Sequence, residues 1–345
     1  MNGEIMTKPK SHYRDRPVMV TGGAGFIGSA LVHYLYAQGA RIVVVDNLIN
    51  GKRENLVDLD PGHVRLVEID IRERDAMRTM LANVKTVFHL ACLGVRHSLH
   101  NPEENHNVNA TATLHLLEEA RRAGVERFVH VSTSEVYGDA STVPMNEDHP
   151  VQPNTVYGAA KLAGEAYARA AYLTHRFPVT IIRPFNTYGP RSHHEGDSGE
   201  VIPKFLLRAL AGKPLLVFGD GRQTRDFTFV DDIARGIAAA GKSLRGLGRT
   251  INLGSGREID IITLAKWIGM TIGREVDIEQ HPARPGDTRR LMADIDLARR
   301  LLSYQPTVDL AEGLQRLLAW YNGQKLSPNE LLAAECEYAW RPGDQ

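Results

Sequence analysis

The sequence feature that most constrains the fold is a glycine-rich turn, residues 21–28, placed between an apolar strand and an apolar-periodic helix. The strand is predicted over residues 16–20 and the helix over residues 29–38. Gly22, Gly25 and Gly28 permit a tight turn, a close approach of the backbone to a pyrophosphate, and close packing of helix on strand. The free N–H groups at the start of the helix favour phosphate binding. The alternative is a turn that only packs a helix on a sheet.

A second predicted strand, residues 41–45, ends in Asp46. An acidic residue about 20 positions beyond the glycines is placed to hydrogen-bond the ribose of an adenosine. A carboxylate at this place also disfavours a 2′-phosphate. The pattern therefore predicts that the chain binds NAD in preference to NADP.

Beyond Asp46 the chain alternates between short apolar strands and helices. Strands are predicted at 64–70, 86–91, 127–132 and 179–183, and helices at 73–81, 104–123 and 155–175. Near-continuous apolar strands separated by helices are typical of a parallel sheet covered on both faces. We therefore predict an α/β fold built on a doubly wound (Rossmann) parallel sheet.

The regularity ends after Pro184. Helices are predicted at 203–211, 263–272, 297–302 and 311–322, with short strands at 215–218 and 250–253. We interpret residues 1–15 as an N-terminal extension, 16–183 as the NAD-binding domain, 184–322 mainly as a smaller α/β substrate lobe, and 323–345 as a C-terminal tail. A return of the chain to the sheet within the lobe stays open.

Charge and cysteine content exclude several classes of function. The chain has 41 Lys and Arg residues and 41 Asp and Glu residues, so its net charge gives no support for nucleic-acid binding. Its two cysteines, Cys92 and Cys336, do not suggest a disulfide framework, and we expect Cys92 to be a small buried side chain. No apolar run is long enough to cross a bilayer, and the first 16 residues are unlike a signal peptide. These observations predict a cytoplasmic protein with no membrane contact.

Tyr157 and Lys161 are the first candidates for catalysis. A spacing of four residues places both side chains on one face of a helix, about one turn apart. A neighbouring ammonium favours the phenolate and lowers the pKa of a tyrosine. The pair is therefore suited to take a proton from a substrate hydroxyl while the carbon gives up a hydride. The spacing alone is also common on the surface of ordinary amphipathic helices.

A run of polar residues follows the predicted strand at 127–132, namely Ser132-Thr133-Ser134-Glu135-Val136-Tyr137-Gly138. Ligands bind at the carboxyl ends of strands in open parallel sheets, although Ser and Thr also favour simple turns. Together with the glycine turn and Tyr157-x-x-x-Lys161, this run resembles the extended short-chain dehydrogenase/reductase family, in its nucleotide-sugar epimerase, dehydratase and decarboxylase branch. The resemblance covers roughly residues 16–322.

The resemblance implies roles for these residues. Tyr157 is the base, Lys161 tunes it and holds the nicotinamide ribose, and Thr133 hydrogen-bonds the sugar 4-hydroxyl. The family oxidises that hydroxyl with tightly held NAD to give a 4-keto sugar. Ser134 and Glu135 complete the predicted catalytic set. The predicted NAD contacts are Gly22, Gly25, Phe26, Ile27, Gly28, Asp46, Asn47, Asp70, Ile71, Leu90, Ala91, Tyr157 and Lys161.

The reaction that follows C4 oxidation is less strongly indicated. Glu135 is typical of 4,6-dehydratases and UDP-glucuronate decarboxylases, where a carboxylate removes or relays the C5 proton. Ser134 departs from the Asp-Glu pair of the deoxythymidine-diphosphate-glucose dehydratases and is similar instead to the decarboxylases and the guanosine-diphosphate-mannose dehydratases. The resemblance places decarboxylation slightly ahead of dehydration. A 4-epimerase is the alternative, because the Arg-Pro-Gly-Asp segment at 284–287 resembles UDP-sugar 4-epimerases. A non-catalytic NAD-binding scaffold is a remote fourth hypothesis.

The substrate implied by the resemblance is a nucleotide sugar, with a UDP-sugar favoured. Its predicted contacts are Arg96, Asn186, Arg191, Val201, Phe218, Arg225, Arg284 and Asp287. The family also implies a homodimer formed through the helices at 104–123 and 155–175. No metal is expected, because the chemistry needs none and the cluster His193, His194, Glu195 and Asp197 falls on a predicted loop.

Overall fold

The computed structural model describes residues 11–196, 198–283 and 288–336. The strands along these residues are β1 Pro17–Thr21, β2 Arg41–Asp46, β3 Val64–Glu68, β4 Thr86–His89, β5 Arg127–Val131, β6 Val179–Pro184, β7 Asn186–Tyr188, β8 Leu215–Phe218, β9 Thr224–Arg225, β10 Phe227–Phe229, β11 Thr250–Leu253, β12 Ile259–Asp260 and β13 Ile278–His281. The helices are α1 Phe26–Ala37, α2 Arg74–Met80, α3 Val95–His100, α4 Pro102–His106, α5 Ala112–Arg122, α6 Val156–His175, α7 Val201–Leu210, α8 Val230–Lys242, α9 Ile261–Ile272, α10 Asp296–Leu302, α11 Leu310–Asn322 and α12 Pro328–Leu331.

Seven parallel strands form the central sheet, in the order β11-β6-β5-β4-β1-β2-β3. Strand β1 lies between β2 and β4, with Val20 opposite Val44 on one side and Phe88 on the other. Burial on both faces explains the nearly unbroken apolar strands. The strand order reverses between β1 and β4, and such a switch point opens a crevice at the carboxyl ends of the strands. The predicted doubly wound fold is therefore confirmed.

The chain returns to this sheet after it has entered the smaller lobe. Strand β11 pairs in parallel with β6, with Ile251 opposite Ile182. Helix α8, which precedes β11, packs on α1 and was not predicted from the sequence. Its interior glycines lower helix propensity, but they allow close packing. A Cβ at Gly241 would lie 2.6 Å from both the Phe88 ring and the Tyr13 hydroxyl.

The helix predicted over residues 104–123 is interrupted in the structure. Helix α4 passes into a π-helical turn, Asn107–Thr111, before α5 begins. The amides of Asn105 and Asn109 point out of this region and donate to the carbonyl of Leu93, at 3.1 and 2.8 Å. The Leu93 amide in turn donates to Asn109 Oδ1 at 2.9 Å. The irregular turn thus anchors the loop that follows β4.

The smaller lobe has its own core between α7, α9 and α11, where Phe205, Leu264 and Leu314 are buried. Strands β8 and β13 form a parallel pair beside it. The C-terminal segment packs on α7, because Lys204 Nζ donates to the carbonyl of Cys336 at 2.7 Å. Among the described residues, no helix is both long enough and apolar enough to span a membrane.

Candidate functional site

A cavity of about 680 Å³ opens at the carboxyl ends of the central strands and extends to the smaller lobe. Its volume lies in the range usual for small-molecule and cofactor sites. Residues from the glycine turn and from the ends of β2, β3 and β4 line one part of it. Those predicted to contact the cofactor are Gly22, Gly25, Phe26, Ile27, Gly28, Asp46, Asn47, Asp70, Ile71, Leu90 and Ala91. All of them lie in this one cavity.

The glycine turn is packed on its inner side and open towards the cavity. Gly22 has a positive φ of 69°, and a Cβ there would lie 2.6 Å from the Ala91 amide nitrogen. A Cβ at Gly28 would lie 2.0 Å from the Gly22 carbonyl oxygen. At Gly25 the nearest atom would be that same oxygen, at 3.3 Å. Gly22 and Gly28 are therefore required by packing, whereas Gly25 leaves room for the pyrophosphate of NAD.

Asp46 is held at the end of β2 by backbone donors. Its carboxylate accepts hydrogen bonds from the amides of Ala24 and Leu48, each at 2.9 Å. Burial raises the pKa of Asp46, and these backbone hydrogen bonds act in the opposite direction. A Cβ at Gly51 would lie 2.7 Å from the carboxylate, so the loop passes closely over it. This fixed carboxylate at the cavity wall fits the ribose hydroxyls of an adenosine.

Tyr157 lies in the first turn of α6, which Thr155 caps by accepting a 3.1 Å hydrogen bond from the Gly158 amide. The Tyr157 phenol shares a hydrogen bond with Thr133, and both line the cavity. Burial raises the pKa of Tyr157 well above its usual value of 10. The prediction of a lowered tyrosine pKa is therefore wrong for this structure, because desolvation of the phenolate outweighs the other influences.

Lys161 lies one turn further along α6 and also lines the cavity. Its ammonium donates a 2.6 Å hydrogen bond to the carbonyl of Val131, at the end of β5. Burial lowers the pKa of Lys161. The lysine is thus fastened to the end of β5, which fixes the position of α6 relative to this strand.

Glu135 lines the cavity, but its neighbour Ser134 does not. The Glu135 amide donates to Thr133 Oγ1 at 3.2 Å, and the Glu135 carboxylate is one of the groups that raise the pKa of Tyr157. Ser134 is 4% exposed and points into the protein. Of the predicted catalytic set, Thr133, Glu135, Tyr157 and Lys161 are brought together and Ser134 is not.

Of the eight predicted substrate residues, five line the cavity, one does not, and two lie outside the described residues. Arg96, Asn186, Val201, Phe218 and Arg225 line the cavity. Asn186 Oδ1 is buried without a hydrogen-bond partner among the described residues, so it suits a ligand donor.

Arg191 does not line the cavity, and Arg284 and Asp287 lie outside the described residues. The backbone turns sharply at Arg191, where φ is 69°. Its guanidinium is partly buried near Asp58 and Asp231, and burial lowers its pKa. Arg191 therefore does not join the other predicted substrate residues in the wall of this cavity.

Cys92 and Glu200 are among the cavity residues that the sequence did not predict. Cys92 was expected to be fully buried, but it is partly exposed in the cavity, and its thiol lies within hydrogen-bonding reach of the Tyr157 phenol. Glu200 immediately precedes α7. Burial raises the pKa of Glu200 to about 8, with Arg96 acting in the opposite direction. The sequence indicated Glu200 only through its position as an acidic residue directly before the apolar pair Val201-Ile202.

Two loops are joined across the site by an ion pair. Lys52, in the loop after β2, contacts Glu195, in the loop before α7. Burial alone would raise the pKa of Glu195, but hydrogen bonds from Lys52 and from the backbone lower it to about 2. The neighbouring residues Gly51 and His193 line the cavity. The ion pair therefore joins two loops that both contribute to the wall of the cavity.

Comparison with known proteins identifies one family and several similar proteins. A family model described as the NAD dependent epimerase/dehydratase family matches residues 18–254. UDP-glucose 4-epimerase of Mycolicibacterium smegmatis is 38% identical over 311 residues, which are 89% of this chain and 98% of that protein. UDP-glucuronic acid decarboxylase 1 of Arabidopsis thaliana is 34% identical over 319 residues, which are 91% of this chain and 71% of that protein.

Solved structures give the same relationship. The structure of dTDP-glucose 4,6-dehydratase from Streptomyces venezuelae, with NAD bound, has a TM-score of 0.83 and 34% identity to this chain. It matches 89% of this chain and 97% of that one. These three similar proteins bear the names of three different reactions, so the reaction of this chain has to be argued from its own cavity.

Proposed function

The chain belongs to the NAD-dependent epimerase/dehydratase family, and from this premise we propose that it is a nucleotide-sugar lyase working through a 4-keto intermediate. Its substrate is a UDP-sugar or a closely related nucleoside diphosphate sugar. The observation that carries the proposal is the placement of Glu135 in one cavity with Tyr157, Thr133 and Lys161.

The first step is oxidation at C4 of the sugar. Thr133 and Tyr157 share a hydrogen bond, so a sugar hydroxyl placed between them meets both a donor and the base. Tyr157 removes the hydroxyl proton. Bound NAD supplies the hydride acceptor. The Lys161 ammonium, held by the Val131 carbonyl, keeps positive charge close to the developing phenolate.

The second step needs a base beside the new ketone. A 4-keto group makes the C5 proton acidic, and Glu135 is a carboxylate in the same cavity. With a 6-hydroxyl on the sugar, removal of that proton leads to loss of water. With a carboxylate at C6, the 4-ketone activates loss of carbon dioxide. After loss of carbon dioxide the enolate must take up a proton at C5, which Glu135 can relay, so this carboxylate supports lyase chemistry on either substrate.

A 4-epimerase is the second candidate. It is supported by the 38% identity to the UDP-glucose 4-epimerase of Mycolicibacterium smegmatis. Epimerisation needs only the base and a ketone that turns over before the hydride returns to its other face. In that reaction Glu135 positions the sugar and transfers no proton.

The deciding experiment supplies the purified protein with NAD and, separately, with UDP-glucuronate, UDP-glucose and dTDP-glucose. Mass spectrometry and proton NMR of the products separate loss of carbon dioxide, loss of water, and an inverted C4 proton at unchanged mass. For a lyase we expect Glu135→Gln to reduce turnover by about 10²-fold or more, with NAD binding retained. Full turnover by Glu135→Gln would contradict the proposal. Tight NAD binding without turnover of any sugar would favour the scaffold hypothesis.

We also propose that the protein is a homodimer. The family resemblance predicts contacts through the region of α4, α5 and α6. Large apolar side chains are exposed on α6 and the nearby α3: Val156 is 40%, Leu173 62% and Leu99 50% exposed. Light scattering of the purified protein should give twice the chain mass of 38.2 kDa. A monomeric mass would overturn this proposal.

A further inference from the structure

Glu200 lines the cavity, and its side chain does not cap the helix that follows it. It is the residue before α7, with an extended backbone at φ −91° and ψ 159°. An acid in this position often accepts a hydrogen bond from the first turn of the helix, but Glu200 makes no such cap. Its side chain instead contributes to the wall of the cavity that holds Glu135 and Tyr157.

The surroundings of Glu200 include both signs of charge. Arg96 of α3 is the cation that acts on it, and Tyr321 of α11 lies near enough for Glu200 to influence the phenol. His193 is close to Arg96 and lines the cavity, and Glu195 also acts on Tyr321 and is paired with Lys52. The Glu200 side chain is partly buried and lines the cavity.

Loss of water from a 4-keto sugar requires two proton transfers of opposite direction. A base removes the C5 proton, and an acid must protonate the departing 6-oxygen, because hydroxide is a poor leaving group. Ser134 stands next to Glu135, but it is 4% exposed, does not line the cavity and carries no acidic proton at neutral pH. Ser134 is therefore not suited to supply this proton, whereas Glu200 is a carboxylic acid that lines the same cavity.

We propose that Glu200 is the general acid that protonates the leaving 6-hydroxyl, so that the lyase reaction of this chain is 4,6-dehydration of a neutral nucleoside diphosphate hexose. This inference rests on the proposed function and selects one of its two lyase outcomes. Glu200 and Glu135 then act on adjacent carbons of the sugar, one giving a proton and the other taking one.

The step balances as follows. Tyr157 accepts the C4 hydroxyl proton while the C4 hydride passes to NAD. Glu135 then takes the C5 proton, the C5–C6 double bond forms, and the C6–O bond breaks with its electron pair on oxygen. Glu200 protonates that oxygen, which leaves as water. The stored hydride returns to C6 and Glu135 returns a proton to C5, which gives a 4-keto-6-deoxy sugar and restores NAD. Tyr157 then releases its proton to solvent, and Glu200 takes one from solvent.

The protonation state of Glu200 agrees with this role. Because burial raises its pKa to about 8, the carboxyl keeps its proton at neutral pH and can donate it. Above pH 8 the acid form is lost. Enzymes that assign acid and base roles to two carboxyl groups commonly rely on environments that hold them in different protonation states.

The test uses Glu200→Gln, Glu200→Asp and a control variant, Glu312→Gln, whose carboxylate lies half-exposed on α11 and pairs with Arg316. Each is incubated with NAD and UDP-glucose or dTDP-glucose in deuterated buffer. Three signals are read: NADH absorbance at 340 nm, exchange of the C5 proton, and the mass of the product. Calorimetric titration with NAD and with UDP verifies that each variant is folded.

We expect Glu200→Gln to reduce formation of the 4-keto-6-deoxy product by about 10²- to 10⁴-fold while NADH formation and C5 exchange continue. Glu200→Asp should recover part of the rate, and the wild-type dehydration rate should fall as the pH rises through about 8. Glu312→Gln should match the wild type.

Dehydration by Glu200→Gln at the wild-type rate would overturn the acid role alone. Loss of NADH formation together with product would also overturn it, by showing that Glu200 acts in binding or oxidation. A wild-type protein that decarboxylates UDP-glucuronate but does not dehydrate hexoses would overturn it while the lyase proposal stands. A wild-type protein that only inverts C4, or never forms NADH, would overturn both.

Discussion

The carboxylate of Asp46 accepts a 2.9 Å hydrogen bond from the backbone amide of Ala24. The end of β2 is thereby tied to the glycine turn, so one side chain both supports the turn and forms part of the cavity wall, where we propose that it binds the adenosine ribose. The choice of cofactor and the local stability of the turn are for this reason coupled.

Asp46→Asn is expected to weaken NAD binding by about 10-fold or more, because a hydrogen bond to a charged group is worth about 1.5–3 kcal/mol. Removal of the negative charge should also weaken the discrimination against the 2′-phosphate of NADP. Calorimetric titration with both cofactors measures the ratio. Asp60→Asn, at a surface loop, is the control, and an unchanged NAD/NADP preference in Asp46→Asn would contradict this role.

Tyr157→Phe should abolish C4 oxidation while NAD affinity is retained. Because burial raises the pKa of Tyr157 well above 10, its phenol stays protonated in the cofactor-free protein up to about that pH. The absorbance difference at 295 nm between wild type and Tyr157→Phe should therefore show no added phenolate below pH 10. NAD carries a positive nicotinamide ring, so its binding should move this ionisation to lower pH. A phenolate signal near pH 7 without cofactor would contradict the structure.

Glu165 and Arg183 form a buried ion pair whose removal should be costly. Arg183 donates to the two carboxylate oxygens at 2.9 and 2.6 Å, and the two side chains are only 1% and 3% exposed. Arg183 also lies over the Tyr137 ring, at 4.6 Å. Glu165→Ala leaves a buried cation without its partner, which should lower the free energy of unfolding by about 3–5 kcal/mol.

Urea denaturation of Glu165→Ala measures this loss. The control is Asp296→Asn, which breaks an exposed pair with Arg299 and should change stability by at most about 1 kcal/mol. Replacement of both Glu165 and Arg183 by methionine should be far less damaging than either single loss. Equal effects of the buried and exposed variants would show that the pair is solvated.

His89 and His130 lie opposite each other on β4 and β5, with ring centroids 5.5 Å apart, and both are fully buried. Burial lowers the pKa of His89 to about 3 and that of His130 well below 6.5. Below about pH 6.5 these two histidines therefore bind protons in the unfolded chain but stay neutral in the folded chain. Stability is fully present above that pH and should fall on acidification, by up to about 1.4 kcal/mol per pH unit for each histidine.

Unfolding measured at pH 7.5, 6 and 5 gives this slope. His130→Leu should reduce the slope by the share of one histidine, whereas His100→Gln, at an exposed position, should leave it unchanged. Identical slopes in wild type and His130→Leu would mean that His130 is already charged in the folded protein.

Local patterns were sufficient to predict the sheet, the glycine turn and the Tyr157–Lys161 helix. Each depends on spacing within a few residues, which buried strands and helices impose on any chain. Helix α8 was not predicted because Gly236 and Gly241 lower its helix propensity. Both glycines allow close packing against β-strand residues that are distant in the chain. The interruption between α4 and α5 likewise depends on the Leu93 loop that Asn105 and Asn109 bind.

The sequence predicted which residues form the site better than it predicted their protonation. A sequence motif contains Tyr157 but not the extent of its burial, so the direction of its pKa shift came out wrong. Glu200 lies 65 positions beyond Glu135 in the chain, and only the folded lobe brings both into one cavity. Cys92 entered the site for the same reason, through the geometry of the loop that follows β4.

Lys52 and Glu195 join two loops that both contribute to the wall of the cavity, and the ion pair restrains these loops relative to each other. We expect this to lengthen the residence time of the cofactor well beyond one catalytic cycle. A reaction that returns its hydride has no need of fresh oxidant, so a single captured molecule of NAD can serve many sugars in turn. The rate of such an enzyme is then set by its sugar supply and is insulated from the redox balance of the cell.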